Sequence, residues 1–266
     1  MEPADSLPTP EPAAGPRSQP PAGAEAPAPS LQVIAMHGWA GTANDWLPWQ
    51  AAARSRGWHW RSGERGYGGA PPWLPMWEPA GLRVLITHSM GAHLLPAPLL
   101  AAAERVVLLA GFGRFLPPGR EGRPLRAALA GMAAGLAEGP DPEETARRAQ
   151  TLLRSFLAQA AAPDPAALMP LGPADQPVCP EARQRLRDDL DRLVACDDLP
   201  KGFPDRVPLL LVEAGEDQIV GPEARALLRD RLPEAERILL PDAGHAFLRS
   251  SPQAAVLQWL ERTGPP

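Results

Sequence analysis

The chain has 266 residues, 44% of them hydrophobic, and a formal net charge of −5 at pH 7. That length suits one α/β domain of ordinary size carrying an insertion, and the acidic balance argues against general nucleic-acid binding through phosphate neutralisation. Two cysteines, Cys179 and Cys196, lack disulfide-framework or zinc spacing, and no apolar run approaches the roughly 20 residues of a membrane span; no metal, cofactor or membrane is expected, and a reducing cytoplasm is the plainest location.

Residues 1–30, rich in Pro, Ala, Gly and Glu, cannot supply a core and are expected to be disordered. They lack a positively charged start followed by an apolar stretch, so they do not read as a secretory signal. An apolar strand, Leu31-Gln32-Val33-Ile34-Ala35-Met36, runs into His37-Gly38-Trp39. Asp45 to Arg56 reads as a short helix, Trp58-His59-Trp60 as a strand, Gly66 to Gly69 as a turn and Pro71 to Pro79 as a proline-studded connection. The next strand, Arg83 to Thr87, stops at His88-Ser89-Met90-Gly91. Pro96 and Pro98 fall in the helix that should follow, and an interior proline costs about 3 kcal/mol, so an irregular helix is expected between Met90 and Glu104.

Arg105 to Ala110 reads as another strand. Between Phe112 and Lys201 the strand signal gives way to three helical patterns, Pro124–Glu138, Pro142–Ala162 and Pro180–Cys196, each with proline near its start. Strands resume at Val207–Glu213, which runs into Gly215-Glu216-Asp217, and at Arg237–Leu240, which runs into Asp242-Ala243-Gly244-His245. Ser251–Arg262 has helical apolar spacing. The fold class is therefore α/β, a mostly parallel sheet flanked by helices, with residues 31–111 and 202–266 forming a core and 112–201 a helical cap.

The candidate chemistry follows from where the polar residues fall. A serine in a strand-to-helix turn is ordinary by itself, but here Ser89, Asp217 and His245 each sit just past a strand's C-terminal end, where open parallel sheets bind ligands. Serine needs a base to become a nucleophile; His245 would take its proton, and Asp217 would hold the imidazole tautomer. Glu216 and Asp242 are rivals for the acid, with the Gly-x-Asp form after a strand favouring Asp217. Peptide N–H groups of Trp39 and Met90 would face a developing oxyanion. His37 would brace that turn, while His88 and His93 read as packing or pocket-wall residues. Trp39 reads equally as a pocket wall or ordinary core, and Phe156 as a core-facing aromatic on the middle helix.

These residues resemble the α/β-hydrolase superfamily from Leu31 onward. Within it, His37-Gly38-Trp39, Phe156-Leu157-Ala158-Gln159, and the run from Leu190-Asp191-Arg192-Leu193 through Asp197-Asp198-Leu199 to Val207-Pro208 are similar to the pimeloyl-acyl-carrier-protein methyl ester esterases of biotin synthesis. That resemblance implies a serine carboxylesterase freeing methanol from a methyl-capped seven-carbon diacyl chain on a carrier protein. Ser89, Asp217 and His245 would form the triad, with Trp39, Met90, Phe156 and His245 contacting substrate. An acidic carrier would dock on cap arginines, Arg114, Arg120, Arg123, Arg126, Arg147, Arg148 and Arg154. The same triad also fits a generic esterase, thioesterase or lyase, and the fold could serve as an inactive binding scaffold. Thr87 stands where the elbow pattern usually has glycine.

Overall fold

The computed structural model describes residues 31–263; the expectation for residues 1–30 lies outside them. Six strands form one sheet in the order β2-β1-β3-β4-β5-β6, and every pair is parallel. They are β1 (Leu31–Met36), β2 (His59–Ser62), β3 (Leu82–His88), β4 (Arg105–Leu109), β5 (Leu209–Ala214) and β6 (Glu236–Leu240). The helices are α1 (Leu47–Arg54), α2 (Ala97–Ala101), α3 (Arg123–Gly135), α4 (Pro142–Ala161), α5 (Pro180–Ala195), α6 (Pro222–Arg231) and α7 (Gln253–Thr263).

The central strands are mostly apolar because both of their faces are covered. Side chains alternate between the faces with period two. Ile34, Met36, Leu85, Leu108 and Leu211 join one buried cluster with α2, α6 and the helices α3–α5. Val33, Ala35, Val84, Ile86, Val107, Leu210 and Val212 join the other, with Trp46, Trp49 and Trp259 from the α1 and α7 side.

Register decides what meets at the sheet's edge. Met36 pairs with Thr87, His88 with Leu109, Leu109 with Val212 and Ala214 with Leu240, so β1, β3, β4, β5 and β6 end close to level. The chain order reverses between β1 and β3, which opens a crevice beyond their C-terminal ends. His37 and Ser89 begin the loops on its two sides.

Several predicted boundaries shift. The first helix is split, with a 3-10 turn at Ala43–Trp46 before α1, and β2 begins at His59 rather than Trp58. After β3 the chain makes a 3-10 turn over Ser89–Leu94, extends through Leu95 and Pro96 and only then forms α2. The prolines explain this break. Pro96 forces Leu95 out of the helical region, and Pro98 is tolerated only in the first turn of a new helix. Between β4 and β5, α3 to α5 lie within three residues of the predicted helical patterns. Asp141 starts α4 by accepting hydrogen bonds from the N–H groups of Glu143 (2.9 Å) and Glu144 (3.3 Å). Among the described residues no helix is long and apolar enough to cross a membrane.

Candidate active site

The turn after β3 carries the sharpest local signature. Ser89 has φ of 56°, a left-handed conformation rarely adopted by a residue with a Cβ, and it is buried. The tightness explains two neighbouring glycines. A Cβ on Gly91 would overlap the carbonyl oxygen of Met36, and one on Gly38 would stand 2.7 Å from Ser89 Cβ. The β1 and β3 loops can approach this closely only without those side chains. Thr87, where glycine was the expectation, fits within the fully buried end of β3, but its hydroxyl has no hydrogen-bond partner among the described residues.

The loop after β1 is fixed by its own histidine. His37 Nδ1 donates to the Gly38 carbonyl at 2.8 Å, and the Arg65 N–H donates to His37 Nε2 at 3.1 Å, which assigns the neutral Nδ1–H tautomer. The Gly41 N–H also donates to the Gly38 carbonyl, at 3.2 Å. Carbonyl and N–H point in opposite directions across a trans peptide, so anchoring this carbonyl fixes the aim of the Trp39 N–H. The Trp39 indole donates to the Leu186 carbonyl on α5 at 2.9 Å, and its ring meets Phe156 edge-on, with centroids 4.7 Å apart.

The loops after β5 and β6 bring the acid and imidazole together. His245 Nδ1 donates to Asp217 Oδ2 at 2.9 Å, both side chains being buried. Asp217 Oδ1 accepts from the N–H groups of Ile219 (2.8 Å) and Val220 (2.9 Å). Burial pulls the Asp217 carboxyl upward, but the charge and hydrogen bond of His245 and the two peptide donors outweigh it and hold it below its ordinary value. Glu216 and Asp242, the rival acids, are exposed. A bond from the Glu216 N–H to the Ala243 carbonyl (2.9 Å) ties the two loops to each other.

Ser89 and His245 line a common small cavity of about 50 Å³ with Gly38, Trp39 and Phe156. Among the described residues, Ser89 Oγ and His245 make no hydrogen bond; such catalytic contacts often tighten only around substrate. A second cavity, of about 150 Å³, opens from Ser89, Trp39 and Phe156 between Met90, Leu129, Met132 and Ile219. It is an apolar space between the sheet edge and α3–α5.

Two features were illegible as chemistry in the sequence. His88 lies against His245 with ring centroids 4.8 Å apart, and its Nε2–H donates to the His245 carbonyl at 2.9 Å. Burial, then the charge of His245, push the His88 pKa down to about 3, which keeps this bracing ring neutral. The second is Asp189 on α5, fully buried, which accepts from Arg65 Nε (2.7 Å) and Nη2 (2.9 Å) and from the Tyr67 hydroxyl (2.6 Å). This latch ties α5 to the loop after β2. A signal existed, because an aspartate interrupts the apolar face formed by Ala182, Leu186, Leu190 and Leu193.

The arginines expected to face a partner divide into two groups. Arg147 pairs with Glu143 and Glu144, Arg148 donates to the carbonyls of Gly135 and Ala137, and Arg114 donates to the Asp197 carbonyl. Arg120, Arg123, Arg126 and Arg154 are exposed. Among the described residues no cluster of three His, Cys, Asp or Glu could hold a metal ion.

No protein-family model and no curated protein matches the chain. Solved structures do match. An esterase from Exiguobacterium antarcticum is similar over 88% of this chain and 93% of its own, at 15% identity and a TM-score of 0.61. An enol-lactonase from Burkholderia xenovorans LB400 is similar over 87% and 92%, at 17% identity and a TM-score of 0.59. An α/β hydrolase from a Medee basin deep-sea metagenome library is similar over 89% and 91%, at 15% identity and a TM-score of 0.59. At these identities the likeness is one of fold, and the fold is that of the α/β hydrolases.

Proposed function

We propose that the protein is a serine-dependent hydrolase of carboxylic esters. The observation that carries this reading is that His245, held from behind by buried Asp217, lines the same cavity that Ser89 enters from a left-handed turn. His245 Nε2 removes the Ser89 proton as Oγ attacks the ester carbonyl carbon, and the oxyanion is met by the N–H groups of Trp39 and Met90. The C–O bond then breaks, and the imidazolium proton passes to the departing alkoxide. Water repeats the sequence on the acyl-enzyme and returns Ser89 with a free carboxylic acid. Asp217 stabilises the imidazolium throughout without taking its proton. The apolar cavity between Met90 and Met132 suits a hydrocarbon acyl chain.

The structural neighbours include an esterase and an enol-lactonase, which supports an ester-cleaving reaction class here. The narrower reading is a methyl ester of a seven-carbon diacyl chain on a carrier protein. It rests on the short strings His37-Gly38-Trp39 and Phe156-Leu157-Ala158-Gln159, with Arg120, Arg123, Arg126 and Arg154 as the exposed cations for an acidic carrier. Two experiments test these levels separately. A fluorophosphonate probe should label the wild type and leave Ser89→Ala unlabelled; an unlabelled wild type removes the hydrolase reading. Growth of a biotin auxotroph lacking the methyl esterase, restored by wild type and not by Ser89→Ala, tests the narrower one; hydrolysis of simple esters without such growth removes it.

A further inference from the structure

A larger cavity, of about 490 Å³, adjoins the small one at Ser89: Asp45, His88, Met169, Pro170 and Ala246 line both. The walls of its own include Trp46, Trp49, Phe247 and Leu248. The reaction itself dictates which part of an ester faces this chamber. In acyl transfer the imidazolium delivers its proton to the departing oxygen, so the alcohol limb lies on the side of His245. His245 itself lines the small cavity and neither of the other two, but the chamber shares Ala246 with that small cavity and continues along Phe247 and Leu248, the residues that follow His245, whereas none of these lines the apolar pocket beyond Met90.

We propose that this chamber receives the alcohol limb of the substrate, and that the alcohol is a bulky, aromatic one without negative charge. The walls carry the argument. Trp46 and Trp49 meet edge-on with centroids 5.8 Å apart, and the His88 and Phe247 rings are 6.3 Å apart, so several rings surround the space. Among the described residues no Arg or Lys lines it, so nothing pairs a phosphorylated or carboxylated alcohol. The lining histidines offer an anion little: both ring nitrogens of His37 are engaged, by the Gly38 carbonyl and the Arg65 N–H, and half-buried His88 stays neutral down to about pH 3. The one carboxyl, Asp45, would repel an anion when ionised, and burial raises its pKa. Two lining residues, Trp46 and Gln253, also hold buried N–H donors without partners among the described residues, which favours a limb bearing an ether or carbonyl oxygen.

This inference rests on ester hydrolysis and not on the carrier-protein methyl ester, whose methanol would leave the chamber unfilled. The test compares butyrate esters of methanol and benzyl alcohol, two alcohols of similar acidity, so that the ratio reads binding of the limb. Wild type should prefer the benzyl ester in kcat/KM by about tenfold or more. Leu248→Trp and, from another wall, Ser251→Phe should bring the ratio towards one. A wild-type ratio near one, or a preference that both variants retain, overturns the assignment while leaving ester hydrolysis standing. Tryptophan fluorescence of Ser89→Ala, titrated with each ester, gives a second readout that needs no turnover. If wild type cleaves neither ester while benzyl butyrate still changes the fluorescence and Ser251→Phe, which adds no tryptophan, abolishes that change, the hydrolase reading fails and the chamber remains a ligand site. If benzyl butyrate leaves the fluorescence unchanged, the chamber assignment fails.

Discussion

The sheet edge and the helices that cover it place their side chains by different means. At the edge, backbone geometry does the positioning. Parallel register brings the strand ends level, a left-handed turn carries Ser89 clear of β3, and peptide N–H groups hold Asp217. The helices between β4 and β5 are held instead by side-chain and loop contacts, among them Asp189 with Arg65 and Tyr67, the Trp39 indole with Leu186, and the Ala246 N–H with the Ala160 carbonyl at 3.1 Å. The lesson is one of separable consequences. Changes at the edge should remove chemistry and spare the fold, whereas changes in the anchors should loosen the cover and alter stability first.

The largest effect should come from Ser89→Ala, with kcat for a simple ester falling by about 10⁴-fold or more and the melting transition almost unmoved. Asp217→Asn follows. Its side-chain oxygen can still accept the Ile219 and Val220 N–H groups, but the amide mis-sets the imidazole tautomer, and a loss of about 10⁴ in kcat is expected. A melting point that falls steeply in either variant would break the contrast. On the cover, Asp189→Ala leaves the Arg65 guanidinium and Tyr67 hydroxyl without their buried acceptor. It should cost about 3 kcal/mol in urea unfolding, with activity lost less than tenfold at a permissive temperature.

Acid should act on the edge from beneath. The folded His88 pKa is about 3 against an ordinary 6.5, so the unfolded chain takes up this proton first. Folding stability therefore declines as pH falls from 6.5 towards 3, by about 2 kcal/mol at pH 5. Asp217 adds a later loss. Its carboxyl is held below the ordinary 3.8, so its contribution is present above that pH and disappears as pH falls through the lower folded value. Urea unfolding at pH 7 and pH 5 should show the His88 slope, and His88→Gln should flatten it. The smallest effect belongs to Thr87→Val, which replaces an orphaned buried hydroxyl with a methyl of the same shape and should stabilise the protein by about 1 kcal/mol.

The elements differ in how far the chain announced them. The break after the Ser89 turn was legible because Pro96 and Pro98 act locally, whatever surrounds them. The three helices of the insertion were legible from their prolines and apolar spacing. Asp217 was distinguishable from Glu216 and Asp242 only weakly, since all three follow strands, and the structure separates them by burial and by the 2.9 Å bond to His245. His88 was opaque as a bracing group because its partner lies 157 residues away, and Asp189 showed only as a break in an apolar helix face, with Arg65 124 residues away. Adjacent arginines along the chain differ in ways only contacts reveal: Arg147 and Arg148 meet groups on their own helix and at the end of α3, whereas Arg120, Arg123, Arg126 and Arg154 are exposed.

By itself the sequence determined the alternation of strands and helices, the strand-end positions of Ser89, Asp217 and His245, and the glycines that let two loops pass closely. Each depends on periodicity or on a neighbour a few residues away, and such forces are readable along a chain. Only the tertiary structure decided which carboxylate meets the imidazole, what holds the insertion down and where space remains beside the serine. Those outcomes depend on burial and on contacts between distant segments, and on volumes left unfilled after packing, none of which exists until the chain has closed on itself.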